Sequence, residues 1–168
     1  AIAQGSGKSV KFSASIPAGV TEFYAVYPEG KGTLTTESVF TVKTDAACNG
    51  EFQNANIAAA YAKAGDAVVF KFQNVTGLFR IQLPAGAAVS HAGGSTVISS
   101  IEITGKADEL VLGGDVKVNV DESGAISFEA PAEGYATSVK AVLSAAAVTD
   151  GYAYIPVLPF TSADGVTF

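Results

Sequence analysis

The 168 residues carry 48% apolar and only 15% charged side chains, a balance that excludes a disordered chain. The formal charge of −6, with ten Lys and Arg spread singly, excludes a nucleic-acid footprint and disfavours an anionic membrane surface, because both draw on clustered cations. A single cysteine, Cys48, rules out an intrachain disulfide, and a domain of this length can bury enough apolar surface without one.

In chain order the periodicity is that of strands. Val10, Phe12, Ala14 and Ile16 alternate with Lys11, Ser13 and Ser15, a half-buried strand ended by Pro17 and Gly19. Phe23 to Tyr27 is aromatic and β-rich, closed by Pro28-Glu29-Gly30, and Ser38 to Lys43 is a short strand. Asn56 to Ala64 is alanine-rich and stops at Gly65, which predicts the one short helix, capped by Asn54 or Asn56. Ala67 to Val75 and Leu78 to Leu83 read as a hairpin, or as one strand bent at Gly77. Strands follow around Ile101, from Leu110 to Val120 across Gly113-Gly114, over Ala125 to Phe128, Thr137 to Leu143 and Tyr152 to Leu158, with Gly165 to Phe168 opening another. The fold class is all-β, an antiparallel sandwich with one short helix. The chain reads as one module over residues 1–168, with the start of a second sandwich after about 121 as the alternative.

The chemistry that tempts is weak. Gly5-Ser6-Gly7-Lys8-Ser9 resembles the end of a phosphate-binding loop, but Ile2 stands where the motif needs glycine, and a strand follows instead of a helix. His91, the only histidine, lies in a small-residue loop with no oriented partners. Asp45, Asn49 and Glu51, or Asp121 and Glu122, lack the alternating oxygen ligands of a calcium loop. Most of the tyrosines Tyr24, Tyr27, Tyr61, Tyr135, Tyr152 and Tyr154 follow strand periodicity and default to core or half-core positions, although a sugar platform could use them in a chain without tryptophan. No catalytic, cofactor-binding or metal-binding residue is assigned, no cofactor is expected, and ligand-binding residues stay unassigned. No apolar stretch approaches the ~20 residues of a membrane span, and the start at Ala1 implies a leader either removed or never present.

The order of segments resembles fimbrillin-like proteins, the pilus subunits and related surface lipoproteins of Bacteroidetes. The resemblance rests on Phe23-Tyr24-Ala25-Val26-Tyr27-Pro28, on Asn56 to Ala62 as that family's short helix, and on Val69 to Ile81 as its strand pair. It continues with Ile98 to Gly105 followed by Leu110 to Gly114, and with Tyr154-Ile155-Pro156-Val157-Leu158-Pro159, and together these cover most of residues 10–160. It implies a transthyretin-like sandwich and no active site. It also implies export to the outer membrane surface or a fimbrium, through a lipoprotein signal on a precursor segment. The family's pilus subunits are cut after an arginine near the amino terminus, whereas the only arginine here is Arg80, inside a predicted strand.

The expected function is a non-catalytic surface structural or adhesion module that joins other subunits by strand addition. The alternative is a carbohydrate-binding accessory module of a glycan-utilisation system, with host or glycan ligands. Phe12, Ile16, Phe23, Val26, Phe70, Phe72, Leu78, Ile81, Ile101, Ile103, Val118, Val142, Ile155 and Val157 are the expected core. An incomplete sheet edge is expected beside a terminus, at Lys8 to Ile16 or Gly165 to Phe168.

Overall fold

The structure is a computed structural model. It describes residues 2–6, 9–36, 38–44, 48–65, 67–88, 96–106, 111–129, 135–145, 150–159 and 166–167. The early strands are β1 (Ile2–Ser6), β2 (Ser9–Ser13), β3 (Glu22–Tyr27), β4 (Gly32–Thr36) and β5 (Val39–Lys43). A one-turn helix α1 (Phe52–Ala55) precedes β6 (Ala58–Lys63), β7 (Gln73–Asn74), β8 (Gly77–Gln82), β9 (Ala87–Ala88) and β10 (Thr96–Val97). The chain continues through β11 (Ser100–Gly105), β12 (Gly113–Val120), β13 (Ile126–Glu129) and β14 (Tyr135–Ala136). It closes with β15 (Ser138–Val142), β16 (Tyr152–Val157) and β17 (Val166–Thr167). The chain is all-β, and among the described residues pairing is antiparallel except for the short β9–β10 contact and one bridge at Cys48.

Two layers face each other across the first core. One has the order β13–β12–β5–β4, with β14 also on β12; the other is β3–β6–β7. The alternation Val116, Val118, Val120 in β12 and Phe40, Val42 in β5 drives one face of the first layer inward. There it meets Ala59 and Tyr61 of β6, with Tyr24 and Val26 of β3 half-buried at the margin. The layers approach closely at Gly32, where an added Cβ would lie 2.8 Å from a methyl of Val26. Thr44, fully buried, satisfies its hydroxyl by donating to the Gly114 carbonyl at 3.0 Å.

The second core lies on another sheet, assembled in two parts. β17–β11–β15 forms one part and β16–β8 the other. The segment 48–50 runs between them. The Val142 and Ser144 amides donate to the Cys48 and Asn49 carbonyls, and the Tyr154 amide donates to the Gly50 carbonyl. Ile103, Val139, Ala141, Ala153, Ile155 and Val157 bury one face of this composite sheet with Ala55, Leu83 and Leu112. Strands after residue 121 pair with strands before it: β13 with β12, β15 with β11, β16 with β8.

The structure corrects several expectations. Asn56 to Ala64 is mostly strand β6, because pairing with β3 outweighs the helix preference of alanine, and helix is confined to the single turn before it. Only Gln73 and Asn74 of the predicted strand from Ala67 to Val75 pair, so Val68 to Phe72 leaves the sheet and Phe72 is 49% exposed. β8 then pairs with β16, not with the preceding segment. Phe12 is exposed because among the described residues β2 pairs only with β1, leaving Phe12 stacked on Phe70, and Ile16 is exposed beyond the end of β2. Val142 is 61% exposed, because Val139, Ala141 and Leu143 are the inward set on that segment. Phe23, Val26, Phe70, Leu78, Ile81 and Ile101 are half-buried, whereas Ile103, Val118, Ile155 and Val157 are buried as expected.

These exposures set an order of mutational cost. Ile155→Ala, in a fully buried site, should destabilise the chain by ~2–5 kcal/mol, whereas Phe72→Ala should cost under about 1 kcal/mol. Chemical denaturation of both variants checks this; equal losses would place Phe72 inside a core.

Candidate functional site

The residues with tempting chemistry are held apart or used locally. β1 pairs antiparallel with β2, and no helix follows β2, so the helix that a phosphate loop opens onto is not there. His91, Asp45 and the pair Gly7-Lys8 lie outside the described residues. The Asn49 side chain accepts the Glu51 amide at 3.1 Å, and Glu51 accepts the Ser144 hydroxyl at 2.6 Å. Glu122 pairs with Lys63 at 2.6 Å, and the hydrogen bond that the Lys63 ammonium donates to this carboxylate is the main reason the Lys63 pKa is raised. Among the described residues no three His, Cys, Asp or Glu gather as metal ligands, and no helix is long and apolar enough to cross a membrane. Tyr27 and Tyr135, the exposed tyrosines, stand on β3 and β14, in different layers.

Asp121 organises its own turn. One carboxylate oxygen accepts the Ser123 hydroxyl at 2.6 Å, the Ser123 amide at 2.8 Å and the Ala125 amide at 2.9 Å. The Ser123 hydroxyl first, then the Ala125 amide, hold its pKa below the ordinary aspartate value. A depressed folded pKa contributes stability that is complete above the unfolded value of about 3.9 and is lost as pH falls through the folded value. Asp121→Asn keeps an acceptor but removes the charge, so its melting temperature should fall less steeply than the parent's below about pH 4; parallel profiles would remove Asp121 from the acid response.

Cys48 is 2% exposed and its thiol donates to the Tyr154 carbonyl at 3.2 Å. Burial pushes its pKa up, which keeps the thiol protonated and inert. Maleimide or disulfide reagents should label it only on unfolding; fast labelling of folded protein would show that the 48–50 segment opens.

What the fold leaves available is backbone. On β16 the Tyr154 amide turns toward Gly50, so Tyr154 and its register partner Arg80 form a pair whose polar groups point away from each other. The Leu83 amide donating to the Gly151 carbonyl fixes the same phase. Leu78, Arg80 and Gln82 therefore present N–H and C=O groups to the outer side of β8. Nothing among the described residues pairs with that side. At one end of this edge Gly77, Leu78, Phe79, Val157, Leu158 and Pro159 line a shallow apolar depression of about 270 Å³. On the face shared with Tyr152 and Tyr154, the Arg80 guanidinium lies 3.7 Å over the centre of the Tyr152 ring.

β11 lies at the other side of the same sheet, next to β17. The Leu143 amide donates to Ser99 and the Gly105 amide to Thr137, so Ser100, Glu102 and Thr104 of β11 face outward. On that side β17 pairs with Thr104 and Gly105. The sequence predicts an open edge beside a terminus, at Lys8 to Ile16 or Gly165 to Phe168, whereas the β8 edge lies mid-chain. Its signal was a lone arginine within a strand pattern, which acquires meaning only once the strand order is known.

No family model, no curated protein and no solved structure matches the chain.

Proposed function

We propose that this chain is a non-catalytic structural or adhesion module of fimbrillin type that joins other protein subunits by β-strand addition. The observation that carries the reading is the outward edge of β8, with Leu78, Arg80 and Gln82 offering backbone groups beside an apolar depression. Backbone groups of an extended segment would satisfy that edge, and an apolar side chain would seat in the depression. The segment order set out above supports the fimbrillin assignment, and with it a place at the outer membrane surface or in a fimbrium, held by a lipid anchor.

An array of eight-residue peptides, run beside a glycan array, tests the reading. Peptide binders should lose affinity when their backbone amides are methylated, should slow hydrogen exchange at the Arg80 and Gln82 amides, and should raise the melting temperature as they are titrated. Glycan binding with no exchange protection on β8 would favour the carbohydrate-binding alternative, and peptide binders indifferent to amide methylation would remove strand addition.

A further inference from the structure

We infer that the strand added to β8 carries a glutamate opposite Arg80 with an apolar residue on either side of it, an apolar–Glu–apolar segment of another protein. This rests on the strand-addition reading and adds the chemistry of the partner.

Three properties of β8 converge on one position. The first is backbone phase. Leu78, Arg80 and Gln82 turn their polar groups away from β16, so an antiparallel strand added there bonds to Arg80 through the main chain and sets one residue directly across from it.

The second is the core. Phe79 and Ile81 lie on its side of the sheet and are half-buried, whereas their register partners on β16, Ile155 and Ala153, are fully buried. The core thins toward the outer side of β8, and apolar residues across from Phe79 and Ile81 would extend it. Those two positions flank the one across from Arg80, because successive side chains of a strand point to opposite faces. The apolar depression lies at the Phe79 end, so the residue across from Phe79 is the one that seats in it.

The third is charge. The Arg80 guanidinium lies flat over the Tyr152 ring, 3.7 Å from its centre, which occupies one face of the group and leaves its N–H edge for an acceptor. Arg80 makes no ion pair among the described residues. A carboxylate across from it forms a cross-strand pair of opposite charge, whereas a second β8 centred on Arg80 would set two guanidinium groups opposite each other. Tyr152 stands on β16, so the guanidinium leans back from the outer side of β8. Glutamate, one methylene longer than aspartate, is the acid that reaches it. The chain's formal charge of −6 attracts basic segments in general, so a preference for an acidic strand has to come from this local cation.

Calorimetric titration of the full chain with eight-residue peptides tests this, the peptides centred on Val-Glu-Val, Val-Lys-Val or Ser-Glu-Ser. Hydrogen exchange at the Arg80 and Gln82 amides shows whether each binder sits on β8. Val-Glu-Val should bind roughly three- to tenfold tighter than Val-Lys-Val at low salt, a gap that closes as salt is added. It should bind more than about tenfold tighter than Ser-Glu-Ser. Arg80→Gln should erase the discrimination between Glu and Lys, and Arg80→Glu should reverse it, with circular dichroism unchanged in both. Equal affinity for the Glu and Lys peptides overturns the inference, as does a Glu preference that survives in Arg80→Gln. So does a Val-Glu-Val peptide that leaves both amides unprotected at about 1 mM, the weak end of protein association. In each case, other peptides whose binding at β8 depends on unmethylated amides would leave strand addition standing with a different partner, and the lack of any such peptide would remove strand addition too.

Discussion

The insertion of residues 48–50 between β15 and β16 is the constraint on which the second half of the structure depends. Without it, β11–β15 and β16–β8 are two narrow ribbons, neither wide enough to bury a face. Backbone bonds to Val142 and Ser144 on one side and to Tyr154 on the other join them into one sheet. Gly50 holds a φ of 77°, a conformation costly for any residue with a side chain, and it does so where the chain leaves this insertion toward α1. The buried thiol of Cys48 fits the same role: small, apolar in effect and satisfied by a carbonyl of β16.

That joined sheet also explains the candidate interface. A two-stranded ribbon would offer a floppy edge. A wide sheet backed by Ile103, Ala141, Ile155 and Val157 holds β8 and β11 at a fixed separation and orientation.

Much of the fold was legible from alternation alone. β5, β11, β12 and the first four residues of β16 follow the period-2 pattern, and the inward residues Val118, Ile103 and Ile155 are buried. The failures share a cause: local pattern does not say what covers a segment. Val68 to Phe72 is as strand-like as any stretch of the chain, yet it leaves the sheet, and Phe12 alternates well on a hairpin that pairs only with itself. Alanines at 58–60 and 62 favour helix in isolation, but their small size suits a strand packed at close quarters. The candidate edge was still less legible. Arg80 is visible as the sole arginine, but its place on the outer side of β8, beside Tyr152 and Tyr154, exists only through the strand order.

The two cores are stitched together by adjacent residues. Val157 belongs to one and Leu158 to the other; Leu112 belongs to one while its neighbour Val111 packs against the other. The Leu158 amide donating to the Leu112 carbonyl at 2.8 Å ties the crossing points. Side chains on consecutive backbone positions cannot release one core without dragging on the other. The cooperative unit of unfolding therefore spans both, and neither layer pair behaves as a separable foldon.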